Sequence, residues 1–219
     1  MTLCRWSLFA IVVGLVGCQD VTAPTPVQPA TGRAPFNMSA DNAGPSSAPV
    51  GVHMLRQAPW APQLETYEAS FWAVDGQPSG ITVNYLPADG ELVGQPFLRF
   101  DIPKNAMATG VGGTRVNRGD SVLVTVIIDP VTFSVEFDPS GVVFSNGTPA
   151  HLTIWYENAD PDLNGDGSVD AADQLLQQQL AVWFHAGQVR WVPMPSANDP
   201  TLPSVSTALY HFSEYAVSW

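Results

Sequence analysis

Hydrophobic and polar residues alternate in short runs along most of the chain. In one such run the apolar residues Phe133, Val135 and Phe137 are separated by Ser134 and Glu136. A period of two places successive side chains on opposite faces of a β-strand. The pattern therefore predicts a strand with one buried face and one solvated face.

Nine runs rich in β-branched and aromatic residues are predicted as strands. They cover residues 66–74, 81–86, 97–103, 121–129, 133–137, 151–157, 189–194, 204–212 and 215–219. Turn-forming pairs such as Asp89-Gly90 and Asn146-Gly147 separate several of them. The sequence shows no βαβ alternation and no glycine-rich phosphate loop. We therefore predict a mainly β protein in which residues 53–219 form one antiparallel, immunoglobulin-like β-sandwich.

One segment departs from this pattern and predicts a helix. Ala172, Leu176, Leu180 and Trp183 follow one another at spacings of four, four and three residues, which places them on one helix face. Asp170 precedes the segment and is suited to cap the helix N-terminus. We predict a helix that continues to about residue 185, within an insertion spanning residues 160–186.

The residues before this helix match the spacing of an EF-hand calcium loop. Positions 1, 3, 5, 6, 7, 9 and 12 of that loop correspond to Asp162, Asn164, Asp166, Gly167, Ser168, Asp170 and Asp173. Calcium takes about six to eight oxygen ligands, which these side chains and the carbonyl of residue 168 would supply. We therefore predict Ca²⁺ as a bound ion. The alternative is an ordinary surface turn rich in Asp, Asn and Gly.

The predicted loop differs from a complete EF-hand in two respects. Position 12 is Asp173 rather than Glu, and the segment before the loop is a predicted strand. With Asn at position 3, this ending resembles the calcium loops of bacterial dockerin modules, a resemblance that implies a docking element, although dockerins carry two loops. An unpaired loop is expected to bind calcium with a dissociation constant of about 0.1–1 mM. Val169, at position 8, is expected to anchor the loop to the core.

The N-terminus has the features of an export signal. Arg5 precedes an apolar run at residues 6–17, which is too short to span a bilayer. The sequence Leu15-Val16-Gly17-Cys18 resembles the lipobox of bacterial lipoproteins, in which Cys18 would carry the lipid after removal of residues 1–17. The alternative is an ordinary secretory signal. By resemblance to enterobacterial sorting rules, Gln19 favours the outer membrane of the bacterial cell envelope.

Residues 18–52 are predicted to be a disordered tether, because they are rich in Pro, Ala, Thr, Ser and Gly. The mature chain would retain no free thiol, since Cys4 would be removed and Cys18 acylated. It therefore offers neither a disulfide framework nor a cysteine nucleophile.

The acidic composition restricts the classes of partner. The formal net charge of −12 disfavours nucleic acid and anionic membrane surfaces, both of which select for Lys and Arg. Six carboxylates concentrate around the predicted loop, at Glu157, Asp160, Asp162, Asp166, Asp170 and Asp173. Like charges at this density repel one another, which favours a bound cation.

The order of several short motifs resembles the ZU-type β-sandwich of ankyrins, netrin receptors and tight-junction scaffolds. The motifs are the turn at residues 137–141, the approach to a strand at 144–149, the Ile102-Pro103 segment with Asn105 where that family has Gly, and His211-Phe212-Ser213 near the end. The resemblance covers residues 95–219. It implies a noncatalytic interaction or scaffold domain.

The same resemblance raises one catalytic alternative. In some ZU-type proteins the His-Phe-Ser tripeptide cleaves itself: the hydroxyl of Ser213 would attack the carbonyl of Phe212, with His211 as general base. The structural interpretation, which we favour, is that this tripeptide is part of an ordinary strand with Phe212 pointing inward.

No other motif indicates an enzyme. GxSxG, HExxH and P-loop sequences are absent, and His53, His151, His185 and His211 are too scattered to predict a zinc site. The tryptophans at 60, 72, 155, 183, 191 and 219 are expected mostly in the core, with a sugar-stacking platform as the alternative. We predict a lipid-anchored, calcium-stabilised module that binds an unidentified protein or glycan or serves a structural role.

Overall fold

A computed structural model describes residues 52–187 and 190–219. The predicted signal peptide, the predicted lipidation site Cys18 and the predicted tether at residues 18–52 lie outside the described residues, apart from residue 52 itself. Within the described part of the chain, no helix has the length and hydropathy that crossing a bilayer requires.

The described residues form thirteen β-strands, one short 3₁₀ turn and one α-helix. In chain order the strands and the helix are β1 Glu68–Val74, β2 Ser79–Asn84, β3 Pro96–Ile102, β4 Met107–Thr109, β5 Ser121–Ile128, β6 Ser134–Asp138, β7 Val143–Phe144, β8 Ala150–Trp155, α1 Ala171–Gln177, β9 Ala181–His185, β10 Trp191–Pro193, β11 Ser196–Asp199, β12 Ser204–Leu209 and β13 Glu214–Ser218. The 3₁₀ turn covers Val111–Gly113.

The strands form two main antiparallel sheets. The first has six strands in the order β1-β5-β6-β13-β9-β10, and the second has five in the order β11-β12-β8-β3-β2. Strands β4 and β7 make a small separate pair. Because neighbours in sequence often lie in different sheets, the chain crosses repeatedly between the two layers.

Alternation along several strands decides which face is buried, whereas β13, inside the six-stranded sheet, has four consecutive buried residues. In β8, Leu152 and Ile154 are fully buried, whereas His151 between Ala150 and Leu152 is exposed. Strand β6 follows the predicted pattern on its apolar face, since Phe133 beside it, Val135 and Phe137 are all buried, but Ser134, predicted on the solvated face, is buried as well. One face of each sheet is therefore apolar, and the two faces require a common core.

Aromatic contacts join the two sheets. The ring centroid of Phe100 in β3 lies 4.4 Å from that of Phe137 in β6, and Phe97 in β3 lies 5.4 Å from Phe133. These pairs connect the second sheet to the first through the middle of the molecule. The predicted mainly β, antiparallel fold is confirmed, and its two layers have the packing of a β-sandwich.

All nine predicted strands are present, with boundaries shifted by one to three residues at most ends. Four further strands, β4, β7, β9 and β11, were not predicted from the alternation. Strands β4 and β7 contain only three and two residues, which is too short for a period of two to be visible. Strand β9 lies inside the segment that was predicted to be helical.

The predicted helix extends less far than its apolar spacing indicated. Helix α1 ends at Gln177, and its carbonyl accepts a hydrogen bond of 2.7 Å from the Asn198 side chain. Residues Ala181–His185 are strand β9, which pairs with β13 and β10 inside the six-stranded sheet. The prediction of a helix through residue 185 is therefore wrong, because ladder hydrogen bonds and burial of Val182 in the sheet override a local helical period. The part of the predicted insertion that lies outside the two sheets therefore ends at about residue 180.

Candidate metal centre

The predicted calcium loop lies between strand β8 and helix α1. Leu163 is partly buried against the hydrophobic core, and the backbone N–H of Asp162 donates to Asp160 Oδ1 at 3.2 Å. The loop therefore starts from a fixed point on the sandwich and returns to it through the helix.

The carboxylate of Asp162 organises the middle of the loop. Its Oδ1 accepts hydrogen bonds from the N–H groups of Gly165 at 2.8 Å and Asp166 at 3.1 Å, and its Oδ2 accepts one from Gly167 at 2.8 Å. Gly165 and Gly167 have φ angles of +72° and +87°, a region that a Cβ disfavours. The two glycines thus allow the backbone to curl around position 1 of the loop.

The side chains at positions 3 and 5 lie next to each other. Asn164 Nδ2 donates to Asp166 Oδ2 at 3.0 Å, and the N–H of Asp166 donates to Asn164 Oδ1 at 2.8 Å. Asp166 Oδ1 also accepts from the N–H of Ser168 at 2.9 Å. The oxygen-bearing groups of both residues are therefore held within the same bend.

Asp173 closes the loop from the first turn of α1. Its Oδ1 accepts from the N–H groups of Leu163 at 2.8 Å and Asn164 at 3.1 Å, and its Oδ2 accepts from the N–H of Asp170 at 2.9 Å. These bonds, that from Asp170 first, lower the pKa of the Asp173 carboxyl below its ordinary value. The side chain is buried, although it is charged at neutral pH.

Asp170 caps the helix as predicted. Its Oδ1 accepts from the N–H of Ala172 at 2.7 Å, and together with Asp173 it forms a reciprocal capping box. The same residue occupies position 9 of the predicted calcium loop, so capping the helix and facing an ion would fall to one side chain.

The chemistry of the donor set fits a hard divalent cation. Asp162, Asn164, Asp166 and Asp173 all belong to one closed bend. Asp162 Oδ1 and Asp173 Oδ1 each accept two hydrogen bonds, whereas the other carboxylate oxygen of each, and both oxygens of Asp166, accept one and retain a further lone pair. The two ion pairs found in the described residues, Arg99–Asp101 and His185–Glu214, lie elsewhere. In residues 52–187 and 190–219, however, no three His, Cys, Asp or Glu side chains are close enough to form a ready-made metal site.

The anchor of the loop differs from the prediction. Val169, expected to point into the core, is 64 % exposed. Leu163, at position 2 of the loop, packs against the core instead, and its backbone N–H is held by Asp173. The buried carboxylate of Asp173 does part of the anchoring through its hydrogen bonds to Leu163 and Asn164.

A cleft of about 190 Å³ opens beside the loop. Apolar Leu55, Tyr156 and Leu180 line its inner side, and Asp160 and Asp173 line the side toward the loop. The loop, the helix and the sandwich therefore share one surface depression.

The His211-Phe212-Ser213 tripeptide lies in the link between β12 and β13, where the chain crosses from one sheet to the other. Phe212 is buried, as expected, but only His211 makes an isolated β-bridge, to Val143. The tripeptide is thus not part of a regular strand, which corrects the structural interpretation.

The hydroxyl of Ser213 is directed to another strand. Ser213 Oγ donates to the carbonyl of His185 at 3.1 Å, and Tyr215 Oη donates to the carbonyl of His211 at 2.5 Å. His211 Nδ1 lies 3.4 Å from the Phe212 oxygen.

Among the described residues Asn105 is the one non-glycine residue with a left-handed backbone, with φ +59°.

The histidines do not gather at one site, and most of the tryptophans lie outside the core. Ring contacts pair His53 with Trp219 and His185 with Trp191, at centroid distances of 5.7 and 4.9 Å, and the histidines remain dispersed. The expectation of mostly buried tryptophans is wrong: of the six, Trp191 is buried, those at 155, 183 and 219 are half-buried, and Trp60 and Trp72 are 69 % and 56 % exposed. The physical reason is their location: Trp60 lies in a turn, and Trp72 is on the outward face of β1.

Comparison of the chain with known protein families, with curated proteins and with solved structures finds no match. The ZU-type and dockerin resemblances stay predictions that depend on the residues quoted for them.

Proposed function

We propose that this protein is a lipid-anchored, calcium-stabilised β-sandwich of the bacterial cell envelope that acts as a binding or structural module without catalytic activity. The observation that carries the proposal is the closed loop at residues 162–173, in which Asp162 and Asp173 hold the two ends of an acidic bend. The lipobox-like sequence ending at Cys18 supports the anchor.

Calcium would be held by the side-chain oxygens of Asp162, Asn164, Asp166 and Asp173, with Ser168 and Asp170 completing the set. When bound, the ion supplies positive charge to a segment whose carboxylates have no cationic partner among the described ion pairs. Its role is structural, because the loop joins β8 to α1 and, through α1, to β9 of the other sheet.

The proposed ZU-type character is supported by one backbone feature. Asn105 stands where that family has Gly and adopts a left-handed conformation at φ +59°, which Gly and Asn tolerate best. The proposal therefore includes a scaffold or interaction role for residues 95–219.

The experiment that tests the proposal combines two measurements on the full chain expressed in a bacterium. Metabolic labelling with radioactive palmitate should mark the wild-type protein and not Cys18→Ser. Thermal unfolding of the purified protein should shift upward with calcium and return with a chelator. If the melting temperature is the same with calcium and with chelator, the proposal of a structural calcium ion is wrong, whatever the palmitate labelling shows.

A second function, a dockerin-like docking module, is favoured by one observation. Val169 in the loop and Leu175 on α1 are 64 % and 60 % exposed, so two apolar side chains stand next to the calcium loop. A docking role predicts a protein partner captured with calcium and released by chelation. The Val169→Asp, Leu175→Asp double variant should lose that capture while keeping its calcium-dependent melting.

A further inference from the structure

Four large apolar side chains are exposed on two loops at one end of the sandwich. Leu92 is 99 % exposed, Trp60 69 %, Val93 68 % and Leu86 47 %. Such exposure is costly in water, and an apolar patch of this kind normally marks an interaction site. We call these four residues the apolar tip.

The backbone places the two loops side by side. Leu64 forms a β-bridge with Tyr85, and the N–H of Leu86 donates to the carbonyl of Gln63 at 2.7 Å. The chain before Leu64, which contains Trp60, and the chain after Tyr85, which contains Leu92 and Val93, therefore leave this short antiparallel pairing at the same end.

The base of the longer loop is held firmly. The N–H of Tyr85 donates to the carbonyl of Gln95 at 2.9 Å, and Tyr85 itself is buried. A Cβ on Gly94 would lie 1.8 Å from the Tyr85 oxygen, so glycine is required for the close approach of the two loop ends. The apolar tip thus projects from a fixed base.

Charges on the same loop restrict what can cover it. Asp89 and Glu91 belong to a turn closed by a 3.0 Å hydrogen bond from the Glu91 N–H to the carbonyl of Ala88. Two copies meeting tip to tip would bring four carboxylates together, and an anionic surface would be repelled. A zwitterionic bilayer does not repel the carboxylates of Asp89 and Glu91, because its headgroup ammonium ions lie outward. Its acyl region accepts the Leu and Val side chains and the Trp ring.

We propose that the apolar tip docks onto the zwitterionic surface of the bilayer that anchors the protein. This inference rests on the proposed lipid at Cys18. That anchor would keep the sandwich no farther from the bilayer than residues 18–52 can extend. Tethering raises the effective concentration of a weak second contact, so four side chains suffice where an untethered protein would dissociate. The docked sandwich presents the opposite end, with the β1–β2 turn, away from the membrane.

A single-cysteine probe tests the docking. The lipidated full chain with Leu92→Cys is labelled with an environment-sensitive fluorophore, since acylated Cys18 leaves no other thiol in the mature chain. It is then reconstituted in phosphatidylethanolamine–phosphatidylcholine vesicles. Gln77→Cys is the matched control, because residue 77 is exposed and lies in the turn at the opposite end of β2. Emission from the label at 92 should shift to the blue and be quenched by brominated lipid, while the label at 77 is unchanged.

Each other outcome overturns the inference. If the protein floats with the vesicles but the label at 92 stays in water, the lipid anchor is supported and the docking of the apolar tip is contradicted. A blue shift without vesicles that grows with protein concentration identifies a second copy as the occupant. Protein that does not float with vesicles contradicts both the anchor and the docking. As an independent readout on the unlabelled chain, brominated lipid should quench tryptophan emission less in Trp60→Phe than in the wild type.

Discussion

Asp173 Oδ1 accepts a hydrogen bond of 2.8 Å from the backbone N–H of Leu163, which stands ten residues earlier in the chain. The bond closes the acidic loop and ties it to the core through Leu163. A carboxylate in this position contributes to folding only while it is ionised. The loop should therefore respond both to pH and to calcium, by separate physical causes.

The first prediction concerns pH. The pKa of Asp173 is lowered in the folded chain by hydrogen bonds from backbone N–H groups, that of Asp170 first, so the stability it contributes is present above its ordinary pKa of 3.8 and is lost as pH falls through the lower folded value. In calcium-free buffer, the urea midpoint should fall as pH is lowered from about 5 to about 3. Asp173→Asn should already have a lower midpoint at neutral pH and a smaller fall.

Asp89→Asn, which changes an exposed carboxylate in the β2–β3 loop, is the matched control and should reproduce the wild-type curve. If Asp173→Asn follows the wild-type curve as well, the hydrogen bonds of Asp173 do not contribute to stability.

The second prediction concerns the ion. With calcium at about 2 mM and a dissociation constant of about 0.1–1 mM, preferential binding to the folded chain adds about 0.6–2 kcal/mol. For a domain of this size that raises the melting temperature by about 1–8 °C. Asp162→Ala should abolish the shift, and Asp162→Asn, which keeps one acceptor oxygen for the loop N–H groups, should greatly reduce it.

Glu157→Ala removes an equal charge from an exposed residue just outside the loop and should retain the calcium shift. Equal calcium shifts in Asp162→Ala and Glu157→Ala would assign the ion to a different site.

The third prediction concerns Phe212 at the crossing between the sheets. Its ring stacks on Phe137 at 5.6 Å and meets Phe144 edge-on at 5.2 Å, with Phe100 at 5.9 Å. Phe212→Ala should lower the free energy of unfolding by about 3–5 kcal/mol, measured by urea denaturation, because it leaves a cavity among aromatic rings. Val131→Ala, at a position 53 % exposed, should change it by less than about 0.5 kcal/mol.

The fourth prediction concerns the integrity of the chain. Because the Ser213 hydroxyl donates to the carbonyl of His185, the denatured protein should retain residues 213–219. Intact-mass measurement of wild type and Ser213→Ala should give the same uncleaved chain. A wild-type mass lacking residues 213–219, with the variant uncleaved, would establish self-cleavage.

Strand positions were the most predictable feature of the fold, because alternation is a local property of each run. Strand β9 was missed for the opposite reason. Leu180 and Trp183 continue a helical spacing, yet the pairing of Val217 with Val182 across β13 and β9 decides the conformation from a distant part of the chain. The end of α1 is also set from a distance, by the side chain of Asn198.

The candidate site was located by the spacing of its acidic residues, but its internal contacts were not. Val169, which the loop spacing predicts inside, is exposed, and Leu163 is the residue that packs against the core. No local pattern distinguishes these two apolar residues, because the difference depends on which of them packs against the folded sandwich.

By itself the sequence determined the mainly β composition, the run of acidic positions with glycines between them, and a helix start at Asp170, since each depends on residues within a few positions of one another. Only the tertiary structure decided where the helix stops, which tryptophans face water, and that Trp60 and Leu92 share one end of the sandwich. These features depend on contacts between residues far apart in the chain, and such contacts have no fixed spacing that a linear pattern could reveal.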